Sequence, residues 1–266
     1  MPKPPPLVTL LTDFGTRDPY VAAMKGALLR NCPEARIVDL SHDVPPHDIL
    51  AAAVVLWQAA PQFPTGTLHV VVVDPTVGTE RRILAGQFGS HLFLVPDNGV
   101  ITLIEQTMPA EALHVVRNTQ YLPREASMTF QGRDLFAPVA GHILHGVPLN
   151  RLGPPPDAYT LLDIPVPKQA GDALVGQVIY IDRFGNLVSN ISRDLLTELG
   201  WELDRLRVVC GNRDVGTLQG AYGFVKPGEA LALINSMDLV EIAVNRESAS
   251  DGLNARIGAE VRILPA

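Results

Sequence analysis

The sequence predicts an α/β fold: an N-terminal α/β sheet domain followed by a smaller C-terminal all-β barrel domain. Three observations carry this. Strand and helix signals alternate over the first half of the chain. A proline cluster, LGPPPDAYTLLDIPVP at 152–167, breaks the pattern. Strand signals dominate beyond it. Alternation implies a sheet covered by helices, and proline clusters make stiff, extended connections. The expected domains are 1–160 and 170–266, with the proline-rich linker between them.

Leu7 to Leu11 is a short apolar run that reads as a strand, and the loop TDFGTRD follows it. Asp18-Pro19 opens a helix, with Asp as the expected cap and Pro suited to the first turn. Tyr20, Val21, Met24, Ala27 and Leu28 recur at helical spacing until Pro33. Ile37 to Leu40 is the second strand, and an apolar helix runs from about Ile49 to Ala60. Leu68 to Val73 is apolar throughout, the pattern of a parallel strand buried on both faces. Ile83–Phe88 and His91–Val95, split by Gly89-Ser90, form a hairpin. Helices follow from about Val100 and from Asp134 to Leu144. In the second half, strands are expected at 174–181, 187–191, 206–210, 230–234, 239–244 and 261–264, with one helix at 192–199.

Composition excludes several classes. Of 266 residues, 47% are hydrophobic and 18% charged, ample for a core and too few charges for disorder. The net charge of −7 and the lack of a basic patch argue against a nucleic-acid partner. No run approaches the roughly 18 apolar residues of a membrane span. The lead-in MPKPPP does not resemble a signal peptide, and a cytoplasmic location is expected. The two cysteines, Cys32 and Cys210, lie in apolar surroundings and read as buried free thiols.

Asp13 and Asp74 each follow a buried-looking strand. Ligands of open α/β sheets bind beyond the carboxyl ends of strands, where an Asp can accept hydrogen bonds from a ribose diol. Alternatively, each Asp caps its turn. Arg81 lies seven residues after Asp74, across a turn-rich segment that can fold back and pair the two. SHDVPPHD carries His42, Asp43, His47 and Asp48, but its spacing matches no metal motif and Asp48 is needed as a helix cap. TFQGRD, at 129–134, precedes a helix. In DRFGN, at 182–186, Phe184 either stacks on a base or fills the core beneath a tight turn, while Asp182 and Asn186 offer hydrogen bonds. Asn235 and Ser236 fall between two strands. Dinucleotide, P-loop, zinc-protease and serine-hydrolase signatures are absent.

Taken together, LTDFGTRDPYVAAMKG, IVDLSHDVPPHDI, FPTGTLHVVVVDPTVGTERR, PDNGVIT, TFQGRDLFAPVA, IDRFGNLVSNI and LINSMDLVEIAVN span nearly the whole chain. In this order they resemble the S-adenosyl-L-methionine hydroxide adenosyltransferases, or S-adenosylmethionine hydrolases, relatives of the bacterial fluorinase and chlorinase. The resemblance implies a homotrimer with sites between the N-domain of one subunit and the C-domain of the next. It assigns Asp13 to the ribose hydroxyls and Asp18 to the stretch facing methionine. Asp182 matches a ligand of the methionine amino group, Phe184 and Asn186 match adenine contacts, and Ser236 matches a contact to the methionine carboxylate. Asn245 and its neighbours lie where backbone groups read the adenine edge. Asp74 and Arg81 match two members of the hydrolase's Asp–Arg–His set, and the third position is Gln131.

The halogenating relatives carry Tyr where this chain has Asp74. A carboxylate repels halide and orients water, so hydrolysis of S-adenosylmethionine to adenosine and L-methionine is the implied reaction. It needs no metal and no cofactor, because a sulfonium leaves as a neutral thioether. The departure is Gln131, since hydrolases usually read TFHGRD and an amide cannot take a proton. A non-catalytic binder of adenosine or S-adenosylmethionine, or a halide-using adenosyltransferase, are the alternative readings.

Overall fold

The computed structural model describes residues 5–265, so the first four residues of the proline-rich lead-in lie outside it. The chain divides into two compact units, the first ending at Leu162 and the second beginning at Asp163.

In the first unit, β1 (Leu7–Thr12), β2 (Arg36–Ser41), β3 (Leu68–Val72), β4 (Ile83–Phe88), β5 (His91–Pro96) and β6 (Ala110–Val115) form one sheet in the order β2-β1-β3-β5-β4-β6. The strands β2, β1, β3 and β5 are parallel, whereas β4 is antiparallel to both β5 and β6. Every residue of β3, LHVVV, is buried, as its unbroken apolar run requires. The chain leaves β1 for β2 on one side and returns past it to β3 on the other. Beyond the carboxyl ends of β1 and β3, two loops therefore diverge and leave a crevice.

Helix α1 (Tyr20–Asn31) buries Val21, Met24, Ala27 and Leu28 against the sheet and leaves Tyr20 half exposed. Asp18 does not cap it: Pro19 holds the cap position without a side-chain hydrogen bond, and Asp18 is exposed in the preceding loop. The helix ends at Cys32, which is extended at φ −148° because residues before proline avoid the helical region. Helix α2 (Ile49–Ala59) is capped as expected, Asp48 accepting from Ala51 N–H at 2.9 Å. The helix after β5 is short, α3 (Thr102–Thr107).

The helix expected from Asp134 has two parts. Gly132–Phe136 is a single wide turn of π-helix, in which Ala137 N–H reaches back to the Gly132 carbonyl. Helix α4 (Ala137–Leu144) continues it with Pro138 in its first turn. Pro138 has no N–H to return to residue 134, so it fits the first turn of α4, where no such bond is needed. The first unit ends with the short α5 (Leu149–Leu152).

The stretch expected as linker is partly absorbed by both units. Leu161 bridges to Gly99 and Leu162 N–H donates to Thr102 Oγ1 at 2.8 Å. Further on, β7 (Lys168–Ala170) pairs with β8 (Ala173–Ile181). The second unit adds β9 (Leu187–Ser192), β10 (Leu206–Cys210), β11 (Arg213–Gln219), β12 (Ala230–Ile234), β13 (Leu239–Val244) and β14 (Glu260–Pro265). A pairing of β14 with β8 closes β8 to β14 into a seven-stranded barrel. Its interior holds Leu174, Val178, Leu187, Ile191, Val208, Ala232, Ile242 and Ile263. Two short helices decorate it, α6 (Arg193–Glu198), capped by Ser192, and α7 (Ala249–Gly252), capped by Ser248. Both cysteines are buried and free. Among the described residues no helix is long and apolar enough to cross a membrane.

Candidate active site

Strand register brings the two leading carboxylates together. Thr12 of β1 pairs with Val72 of β3, so Asp13 and Asp74 leave adjacent parallel strands one and two residues beyond a shared rung. Both line a cavity of about 400 Å³ in the first unit, with Phe14, Tyr20, His47, Phe130 and Gln131. One wall is aromatic. The rings of Phe14, Tyr20 and Phe130 meet edge to face with centroids 5.3–6.1 Å apart. The wide turn approaches this wall closely because Gly132 has no side chain: a Cβ there would lie 3.2 Å from the Phe14 ring and 3.4 Å from Val72.

Asp13 is nearly buried and its Oδ2 accepts from the His47 backbone N–H at 2.9 Å. His47 adopts φ 68°, a left-handed conformation a non-glycine residue rarely takes, and that turn aims its N–H at Asp13. Oδ1 of Asp13 has no hydrogen-bond partner among the described residues and remains an open acceptor.

Asp74 is buried and fully engaged. Its Oδ1 accepts from Thr76 N–H at 3.2 Å and from Thr76 Oγ1–H at 3.0 Å. Its Oδ2 accepts from Arg81 Nε at 2.6 Å, and Arg81 Nη2 lies 2.5 Å from the same oxygen in the ion pair. A carboxylate offers about four lone-pair sites, and these three hydrogen bonds and the ion pair with Arg81 engage both oxygens. The segment between them folds back through Gly78 at φ 85°, which is how a seven-residue separation closes into a pair. Arg81 is itself buried, 5.5 Å above the Phe136 ring.

The same guanidinium donates to Gln131 Oε1 at 2.5 Å. Arginine has no acceptor, so the amide oxygen must face it and the amide NH₂ is the free end. Asp74, Arg81 and Gln131 thus form one buried chain beside Asp13, with a donor, not a base, at its end.

The second unit carries its own cavity, about 500 Å³, lined by Asp182, Phe184, Asn186, Tyr222, Arg246 and Ser248 among others. Asp182 organises the loop from β8 to β9, accepting from Phe184 N–H at 2.8 Å, Asn186 N–H at 2.9 Å and Asn186 Nδ2 at 2.9 Å. The loop is a tight turn, but Phe184 is not a core residue: 76% of it is exposed. Ser236 is exposed in the turn from β12 to β13, held by Asn235 Oδ1, which accepts from Met237 and Leu239 N–H. The polar groups of Asn245 serve the fold, its Nδ2 donating to the Val225 carbonyl at 2.7 Å and its N–H to the Glu229 carbonyl at 3.0 Å. Its neighbours Arg246 to Ser248 face the cavity instead.

The metal-type residues of SHDVPPHD are dispersed. Thr12 Oγ1 lies 2.8 Å from His42 Nδ1, Asp39 lies 3.0 Å from His42 Nε2, and Asp48 caps α2. The sequence reading missed Glu241, a buried carboxylate in β13 that accepts from Tyr222 Oη at 2.7 Å and Asn235 Nδ2 at 3.1 Å. Burial raises the Glu241 carboxyl above its ordinary range, and burial with Glu241 alongside raises the Tyr222 phenol. The signal was one acid in the apolar strand LVEIAV. The aromatic wall and Thr76 were also missed, since each reads locally as helix or turn.

Comparison with known proteins agrees with both halves. The model of the SAM hydroxide adenosyltransferase N-terminal domain matches residues 8–153, and that of the C-terminal domain matches residues 176–262. A protein named (R)-S-adenosyl-L-methionine hydrolase from Salinispora tropica is 37% identical over 98% of each chain. A fluorinase from an Actinoplanes species is 28% identical, again over 98% of each chain. A crystal structure of an uncharacterized conserved protein from Thermotoga maritima superposes with a TM-score of 0.90 at 35% identity, covering 97% of this chain and 99% of that one. The chain belongs to the SAM hydroxide adenosyltransferase family.

Proposed function

We propose that this chain hydrolyses S-adenosyl-L-methionine to adenosine and L-methionine. The observation that carries the reading is that Asp13, Asp74 and Gln131 line one cavity, with Arg81 bonded to both Asp74 and Gln131 behind it. Relatives named as hydrolases of this substrate match over nearly the full chain.

The oxygen of water attacks C5′ of the ribose. The C5′–O bond forms as the C5′–S bond breaks, and the electron pair of that bond stays on sulfur as the neutral thioether of methionine. No acid is needed for this leaving group. Water must lose a proton, and it becomes acidic as the new bond forms. Asp74 accepts that proton once Thr76 Oγ1–H turns away, because the hydroxyl is the one neutral, rotatable donor among its three hydrogen-bond partners. Arg81 and the Gln131 NH₂ favour hydroxide character in the attacking oxygen, and the Asp74 carboxylate disfavours a halide there. Holding water in line with the C–S bond contributes up to about 7–11 kcal/mol.

Asp13, with Oδ1 open, takes the ribose diol, and Asp18 faces the methionine end. In the second unit, Asp182 takes the methionine amino group and Ser236 its carboxylate. Phe184 and Asn186 meet the adenine, and the backbone beyond Asn245 reads its edge. Each unit carries only part of this set. The assembly we propose is a homotrimer in which the first unit of one subunit and the second unit of the next share a substrate. It acts in the cytoplasm, without nucleic acid or membrane partners, and two free thiols fit that reducing compartment.

Incubation with S-adenosyl-L-methionine, followed by chromatography, is expected to yield adenosine and methionine. Asp74→Ala is expected to abolish adenosine while calorimetry still registers binding; unchanged turnover would sink the assignment. Because the Gln131 carbonyl is committed to Arg81, a second reading is a binder without turnover, and binding by the wild-type chain with no product would establish it. Appearance of 5′-halo-adenosine with added chloride or fluoride would point to the halide-using alternative. Light scattering tests the trimer, and a monomer that turns over substrate would overturn the shared site.

A further inference from the structure

Away from both cavities, the carboxyl ends of α1 and α4 converge on three potential metal ligands. The helices touch where Gly141 faces Asn31: a Cβ on Gly141 would lie 2.5 Å from the Asn31 Cβ. One residue beyond Asn31 is Cys32, and four beyond Gly141 is His145, so close packing sets the two side by side. The turn after α1 closes through Ala35 N–H donating to the Cys32 carbonyl at 3.1 Å, and this returns Glu34 to the same place. The Cys32 sulfur, a Glu34 carboxylate oxygen and a His145 ring nitrogen all lie within 4.8 Å of one another.

Two further features suit a cation. His145 Nδ1 lies 2.9 Å from the Gly141 carbonyl, which can only accept, so Nδ1 carries the proton and Nε2 presents its lone pair 3.5 Å from Glu34 Oε1. A backbone carbonyl fixing the far nitrogen is the usual support of a metal-binding histidine. Both helices also direct the negative ends of their dipoles here.

We propose that Cys32, Glu34 and His145 bind one borderline-soft divalent cation of the zinc type. Sulfur, nitrogen and oxygen ligands at about 2.0–2.3 Å suit that metal, with water in a fourth position. Cys32 is buried and serves as the fixed anchor, whereas Glu34 and His145 are about half exposed and can close the last fraction of the distance. Binding releases the thiol proton to solvent and leaves a thiolate on the metal. Neither cavity contributes a residue, so the site stands apart from the proposed hydrolysis.

The test titrates the full-length protein with Zn²⁺ against a chromophoric chelator and records the absorption of the Co²⁺ form. One zinc per chain is expected, with a thiolate-to-cobalt charge-transfer band. Cys32→Ser and His145→Gln are each expected to weaken zinc at least tenfold, and Cys210→Ser to leave it unchanged. His145 is half exposed, so its variant folds even if Cys32→Ser does not. No charge-transfer band, or zinc affinity within twofold of wild type in His145→Gln, overturns the proposal and leaves only a surface His–Glu contact.

Discussion

The Arg81 guanidinium donates to the Gln131 side-chain oxygen, and this bond decides which end of the amide is left for the cavity. A histidine at that position could take up a proton. The glutamine cannot, and its free NH₂ can only donate. Arg81 therefore ties a carboxylate on one side to a donor on the other.

That arrangement predicts opposite outcomes for two substitutions. Gln131→Glu keeps the shape but replaces the free donor with an acceptor and adds a charge that competes with Asp74 for Arg81. Steady-state adenosine formation is expected to fall at least tenfold, equivalent to about 1.4 kcal/mol. Gln131→His is expected to raise the rate or leave it unchanged. A large fall in the histidine variant would show that the amide has a role of its own.

Phe184 offers a cleaner separation of binding from stability. Its ring is mostly exposed, so Phe184→Ala removes no core contact, and urea unfolding is expected to shift by less than about 0.5 kcal/mol. Stacking on a base is worth about 1–3 kcal/mol, so KM for S-adenosylmethionine is expected to rise roughly five- to 150-fold. Loss of stability with unchanged KM would return Phe184 to a structural role.

Much of this was legible in the sequence, for definite physical reasons. Continuous apolar runs such as LHVVV and the Gly89-Ser90 hairpin report backbone geometry directly, and both were read as they stand. Three strands escaped. In β6, β7 and β11, polar and small residues interrupt the alternation, since these strands lie near sheet edges or are largely exposed. Asp13 and Asp74 were visible as carboxylates at strand ends, but their rung-to-rung relation required the β1–β3 register. The closure of Arg81 onto Gln131, fifty residues away, has no local signature at all.

Acid sensitivity should come from a buried histidine pair in the first unit. His69 is fully buried, bonded to Thr9 Oγ1 at 2.8 Å, with its Nε2 3.3 Å from His91 Nδ1. Burial, and secondarily His91, lowers its pKa to about 3. The unfolded chain protonates His69 near 6.5 while the folded chain does not, so stability is full above 6.5 and falls as pH drops toward 3. Each pH unit in that window costs about 1.4 kcal/mol. Urea unfolding is expected to show a loss of about 2 kcal/mol from this residue between pH 6.5 and pH 5. His69→Gln should flatten the slope. A slope identical to wild type would place the acid sensitivity elsewhere.

The buried Asp74–Arg81 pair should separate stability from chemistry. Asp74→Asn keeps an oxygen for Thr76 but strands the Arg81 charge in a buried position, with only an amide on either side. Removing one partner of such a pair costs about 3–5 kcal/mol. Replacing both charges with apolar groups avoids the stranded charge, and Met at position 81 can lie on the Phe136 ring that Arg81 now covers. Asp74→Leu with Arg81→Met is therefore expected to recover most of the stability lost in the single variant and to remain inactive. Urea unfolding and adenosine assays on the two proteins decide it. If Asp74→Asn costs less than about 1 kcal/mol, water reaches the pair and it is not the dry, preorganised element that this mechanism requires.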